Sequence, residues 1–101
     1  MKPLLVAQAA EADLRNIGRY TEERWDPAQK QRHLDALRER FAALRHNPAL
    51  GAARNEFTAG LRSLTAGQHV VFYRDYPDRI EIMRVLHASH DMHRHLDPDP
   101  K

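Results

Sequence analysis

Cysteine is absent from the 101 residues. That removes disulfides, thiolate metal sites and a cysteine nucleophile together, and it agrees with a reducing compartment. No window approaches the ~18 consecutive apolar residues that a membrane-crossing helix needs. The apolar run Leu4-Leu5-Val6 behind Met1-Lys2-Pro3 is also too short for a signal-peptide core, so a cytoplasmic protein is expected. Excess charge is scarce as well: 16 basic against 14 acidic residues leave a formal net charge of +2. Residues 1–60 carry ten Lys or Arg against eight Asp or Glu, and residues 61–95 carry five against four. Neither half forms a basic block, so direct sequence-specific DNA binding is not expected. A chain this short allows one core and no separate cofactor domain. We therefore expect a single domain over residues 1–96, a frayed tail over 97–101, and no cofactor.

The order of what is present suggests helices first and strands last. Pro3 to Val6 reads as a short strand. Ala10, Leu14, Ile17, Thr21 and Trp25 then recur at spacings of four, three, four and four, which predicts an amphipathic helix over Ala9 to Trp25. Glu11 and Asp13 suit the positive end of its dipole. Gly18 inside it costs ~1 kcal/mol against Ala, which a close helix–helix approach would explain. Trp25 is read as packing on the next helix, although an aromatic there could also anchor a partner. Asp26-Pro27 is a capping residue followed by proline at the first helical position. A second helix follows, with Leu34, Leu37, Phe41 and Leu44 on one stripe and an end at Arg45-His46-Asn47 before Pro48. The two helices form an αα-hairpin. From Asn47 to Gly60 the pattern lapses into an irregular connection with one anchoring aromatic, Phe57.

Leu61 to His87 contains three runs of β-branched, aromatic and aliphatic residues separated by Ala66-Gly67 and Tyr76-Pro77-Asp78. This is the pattern of an antiparallel meander of two hairpins. With Ala66-Gly67 and Pro77-Asp78 as the central turn pairs, Leu64 lies opposite His69, Arg62 opposite Val71, and Val71 opposite Arg84. One face then gathers Leu61, Val70, Phe72, Met83 and Val85, a bed for the helices, with Arg74 facing Glu81 at its end. The other gathers Arg62, Leu64, His69, Val71, Tyr73, Ile82, Arg84 and Leu86, an apolar surface that needs a cover from outside the chain. The fold class expected is α+β: a short N-terminal edge strand and an αα-hairpin packed on a C-terminal antiparallel meander.

His87, His90, His93 and His95 raise the question of a metal. Their spacing matches no established zinc pattern and no cysteine completes a site. We therefore expect no metal, and read Asp91 to Leu96 as a short helical turn before the frayed end.

The ordered set AxxDLxxIxxYTxxRWD (Ala10 to Asp26), an apolar second helix, NPxLG (Asn47 to Gly51), GLRS (Gly60 to Ser63), GxHVVFYR (Gly67 to Arg74), IxIMRVLH (Ile80 to His87) and DMxRHL (Asp91 to Leu96) resembles the ParE branch of the RelE/ParE toxin superfamily. The resemblance runs from about Ala7 to Leu96. It implies a bacterial type II toxin that inhibits DNA gyrase by binding rather than by turnover. It also implies a hetero-oligomer with a ParD-like antitoxin wrapped around the toxin, for which the second sheet face is the candidate contact surface.

RelE-like members of the superfamily cut messenger RNA on the ribosome. That chemistry must activate a 2′-hydroxyl, stabilise a phosphorane and protonate a leaving oxygen. Arg62, His69, Arg84 and His87 are the residues that could serve it here, yet position 69 carries His where RNA-cleaving relatives tend to have Arg, and the tail has no Tyr. A third reading is a degenerate toxin that acts only as a binding or co-repressor module.

Overall fold

The computed structural model describes the backbone of residues 1–24 and 27–88 and the side chains of residues 1–19 and 27–88. A strand β1 (Leu4–Val6) leads into helix α1 (Gln8–Arg24) and helix α2 (Pro27–His46). Four strands follow: β2 (Ala52–Ala53), β3 (Leu61–Ala66), β4 (His69–Asp75) and β5 (Ile80–His87). They form one five-stranded sheet in the order β1-β5-β4-β3-β2. The meander is antiparallel, whereas β1 runs parallel to β5, Leu4 pairing with Ile80 and Val6 with Ile82. The α+β architecture and the N-terminal edge strand thus match the sequence reading. The connection before the meander is less irregular than expected, because Ala52 and Ala53 pair with Ser63 and Arg62 to make the opposite edge.

Both helices agree with their periodicity to within a residue or two. In α1, Ala10 is fully buried and Leu14 and Ile17 pack against the core. In α2, Leu37 and Leu44 are buried and Phe41 joins them. Basic Arg45 and His46 sit in the last turn of α2, where they complement the negative end of the dipole. Gly18 contradicts its explanation: a Cβ built there meets nothing within 4 Å, so no close approach of a second helix requires it. Trp25, Asp26, the side chain of Thr21 and the proposed turn from Asp91 to Leu96 lie outside the described residues.

The register departs from expectation twice. The first turn is centred on Gly67-Gln68, with Gly67 at φ +61° and Ala66 paired with His69. Leu64 is therefore opposite Val71, and Arg62 opposite Tyr73. Gly67 accepts a positive φ without a Cβ penalty, and it does so at the first central position rather than the second. Because the turn moves by a whole residue on both arms, the same residues still share a face.

The second hairpin turns where expected. Asp75 pairs with Ile80, Arg74 with Glu81 and Tyr73 with Ile82, before a bulge shifts the pairing to Phe72–Arg84 and Val71–Val85. Val71 therefore faces Val85 and not Arg84. A bulge inserts one residue into one strand, so the side-chain alternation of β5 changes face partway along: Val85 joins Ile80 and Ile82, and Leu86 moves to the opposite side.

The faces are the reverse of those assumed. The helices cover Leu64, Ala66, Val71, Tyr73, Ile80, Ile82 and Val85, together with Ala10, Leu37 and Leu44. The outer face holds Leu61, Phe72 and Leu86, with Phe57, Val70 and Met83 packed against them. Phe57 does anchor its loop, meeting Phe72 edge-on at 6.0 Å between ring centroids.

Candidate functional site

Where the helix-covered face meets the end of α2, a polar knot fixes the segment Asn47 to Gly51. Tyr73 is fully buried. Its hydroxyl donates to Pro48 O at 2.7 Å and accepts from Gly51 N at 2.8 Å. Arg62 Nη1 donates to Gly51 O at 2.6 Å. Upstream, Ala49 N donates to Asn47 Oδ1 at 3.2 Å. Burial pushes the Tyr73 phenol above its ordinary value, and the bond from Gly51 and the nearby Arg62 charge oppose that push. Gly51 is required by space: a Cβ there would lie 2.6 Å from Tyr73 Oη and 2.7 Å from Ser63 O.

A second polar arrangement ties α1 to β5. Asp13 accepts a fork from Arg84, Nε to Oδ2 at 2.8 Å and Nη2 to Oδ1 at 3.0 Å, and it also accepts Val85 N at 2.9 Å. β1 pairs with β5 only as far as Ile82. Asp13 therefore supplies an acceptor to the β5 edge just where strand pairing stops, and two bonds to a guanidinium compensate its partial burial. Pairing with Asp13 holds the Arg84 guanidinium above its usual value.

A row of imidazoles lies at the other end of the sheet. His33 of α2 and His69 of β4 are each only 9% exposed. Their ring centroids are 4.7 Å apart, and His69 meets His87 edge-on at 5.3 Å. His69 and His87 are directly paired across β4 and β5. His87 Nε2 lies 3.4 Å from Gln68 Oε1.

These positions change the standing of the candidate site residues. Val71, Tyr73 and Ile82 are fully buried, Leu64 packs against the same core, and His69 is buried in contact with His33 of α2. They cannot form an open contact face while the helices are in place. Leu86 is buried on the opposite side of the sheet. Arg62 donates to Gly51 O and Arg84 to Asp13, so both arginines considered for RNA cleavage are engaged within the fold. His69 and His87 are neighbours, whereas the two arginines serve separate parts of the fold. Among the described residues no group of three or more His, Cys, Asp or Glu is arranged to hold a metal ion, and no helix is long and apolar enough to cross a membrane.

Sequence reasoning missed three of these residues. As a dipole partner Asp13 needs no other role, yet it lies one turn after buried Ala10 on the same side of the helix. A carboxylate beside a core stripe requires a donor, and that was the available signal. Gly51 was visible within NPxLG, but its reason, the Tyr73 hydroxyl twenty-two residues away, is tertiary. His33 gave no signal beyond lying four residues before Leu37.

Comparison with known proteins adds the family. Residues 4–92 match the family described as the ParE toxin of the type II toxin–antitoxin system parDE. A protein named Toxin ParE1 from Caulobacter vibrioides is 38% identical over 96 residues, covering 95% of this chain and 99% of that relative. A Toxin ParE1 from Mycobacterium tuberculosis is 37% identical over 93 residues, covering 91% and 95%. A solved structure described as the chromosomal ParDE system from P. aeruginosa superposes with a TM-score of 0.73 at 24% identity, over 86% of this chain and 96% of that one; at that identity it speaks for the fold. The family model spans nearly all of the described chain, and the fold it implies is the one observed. This chain belongs to the ParE family of toxins of type II toxin–antitoxin systems.

Proposed function

We propose that this chain arrests bacterial growth in the cytoplasm by binding DNA gyrase, and that a ParD-like antitoxin neutralises it by forming a hetero-oligomer with it. The observation that carries the reading is the family match over residues 4–92 together with full-length similarity to two proteins named Toxin ParE1. A binding rather than catalytic mode is supported by the use of Arg62 and Arg84 inside the fold. RNA cleavage would need charged groups free to meet a phosphate.

Induced expression of the chain in a bacterial host tests the proposal. Growth should stop, covalent gyrase–DNA complexes should accumulate, and co-expression of a ParD-like antitoxin should restore growth. Messenger RNA cut at codon boundaries, without gyrase–DNA complexes, would replace gyrase inhibition with nuclease activity. Undisturbed growth with soluble folded protein would leave a binding module without a poisoned target.

A further inference from the structure

The two edges of the sheet are unlike, and β1 is the open one. In its parallel pairing with β5, Pro3 O accepts Ile80 N and Ala7 N donates to Ile82 O, each at 2.9 Å. Backbone groups alternate in direction along a strand, so Pro3, Leu5 and Ala7 turn theirs toward β5, and Leu4 and Val6 turn theirs outward. Among the described residues no strand lies beyond β1. The devices that blunt an edge are missing from it. Residues 3–10, PLLVAQAA, carry no charge. Pro3 shares the orientation of Leu5, so the N–H it lacks belongs to the inward side and does not block the edge. Lys2 is drawn away to Asp75 and to Tyr76 O, the latter at 2.8 Å. Leu4 and Val6 pack on the helix-covered core; alternation therefore puts Leu5 on the outer face, where it is 49% exposed.

We propose that β1 is a self-pairing edge, through which two copies of this chain join antiparallel about a two-fold axis centred on Leu5. The register follows from the direction of the free groups. Centred there, Leu4 of one copy lies opposite Val6 of the other, and each outward N–H meets an outward C=O. Within the bounds of β1 this is the register that uses every outward group. The two Leu5 side chains then lie directly across from one another on the outer face, at the close spacing of a non-hydrogen-bonded pair, and cover each other's exposed surface. Because the same edge serves both copies, the contact closes on itself and stops at two. It joins two five-stranded sheets into one continuous sheet.

Charge favours this edge over the other one. β2 has two residues, Ala52 and Ala53, and exposed Arg54 follows directly, so two copies meeting there bring like charges together. In the Leu5-centred register Pro3 lies opposite Ala7 and Lys2 opposite Gln8, and the first charge along α1 of the second copy is Glu11, opposite in sign to Lys2. Met1, 78% exposed, is carried toward Ala9 at the start of that helix. Two strands of three residues cover less than the roughly 1,200 Å² of a stable standard interface. The association is therefore weak and follows concentration. It stands apart from the proposed function and requires neither gyrase nor an antitoxin.

Sedimentation velocity of the purified full chain from about 20 μM to about 1 mM tests the pairing, with amide hydrogen exchange at both ends of that range. The average mass should climb from one copy toward two. Exchange at Leu4 and Val6 should slow about fivefold at the upper concentration, as mass action leaves only a minor share of the chain unpaired. Leu5, whose groups meet β5 within one copy, should exchange at the same rate throughout. Leu5→Lys sets like charges directly opposite at an exposed position and should keep the chain at the mass of one copy; Leu50→Lys, at a comparably exposed leucine beside β2, should pair as the wild type does. The mass of one copy at about 1 mM overturns the proposal. So does a dimer that survives Leu5→Lys, or one that forms without slowing Leu4 and Val6, because it uses another surface. If Leu5→Lys does not fold, the wild-type exchange decides: slowing at Leu4 and Val6 that follows concentration sustains the pairing, and its absence overturns it.

Discussion

Replacing Tyr73 by Phe should destabilise the chain by about 2–3 kcal/mol, because it strips two backbone groups of their partner while leaving the ring in place. The phenol bridges Gly51 N at 2.8 Å and Pro48 O at 2.7 Å. Gly51 is buried, so its N–H would lose a bond with no room for water; Pro48 is half-buried, and its carbonyl would recover part of the loss from solvent. For a domain of this size 1 kcal/mol corresponds to roughly 4–8 °C in Tm, which gives a fall of roughly 10–20 °C. Urea unfolding of the purified chain at pH 7 and 25 °C, followed by circular dichroism, supplies the free energy directly. With m of about 1–3 kcal/mol/M the midpoint should move by about 1–2 M. The same variant carries a second signature at high pH. A phenol whose folded value is raised above 10.0 contributes stability that is present below pH 10 and lost as the pH rises through the folded value, since the unfolded chain ionises first. The wild type should weaken above pH 10 more steeply than Tyr73→Phe. A loss under 0.5 kcal/mol at pH 7, on the scale of an ordinary surface substitution, would refute the view that this hydroxyl pins the segment behind α2.

Three further substitutions probe the rest of the fold. Gly51→Ala should cost about 3 kcal/mol or more by urea unfolding, because one of the atoms its Cβ would strike is the Ser63 carbonyl, at 2.7 Å, and backbone cannot step aside cheaply. Gly18→Ala should stabilise by about 0.5–1 kcal/mol, seen as a higher urea midpoint, since the added methyl meets open space within a helix. Asp13→Ala should cost about 2–3 kcal/mol in the same assay and speed amide exchange at Val85, having removed the carboxylate that serves both Arg84 and the β5 edge. An unchanged Val85 exchange rate would show that the edge finds another acceptor.

The order of elements was legible because it rests on local rules. Leu34, Leu37, Phe41 and Leu44 define a helical stripe whatever they pack on, and Pro27 begins α2 as expected. The sheet faces were misread for two physical reasons. Apolar residues occur on both faces of the meander, so the pattern does not say which is covered: Phe72 and Leu61 are as apolar as Val71 and Ile82. The bulge opposite Phe72 and Tyr73 then breaks the two-residue period of β5, sending Leu86 to the outer face and Val85 inward. A strict alternation cannot anticipate an inserted residue. The roles of Arg62, Arg84 and Tyr73 were hidden because their partners, Gly51, Asp13 and Pro48, are distant in sequence. Their chemistry suggested a site, whereas the tertiary structure uses them as ties.

The function proposed for this chain is inhibition of gyrase by binding, relieved when an antitoxin binds the chain. The most direct measurement combines purified chain with purified bacterial gyrase in a DNA supercoiling assay, with and without an equimolar ParD-like antitoxin. Inhibition with accumulation of cleaved DNA is expected, titrating with the chain and abolished by the antitoxin. Full gyrase activity at a large molar excess of folded chain, with or without the partner, would contradict it.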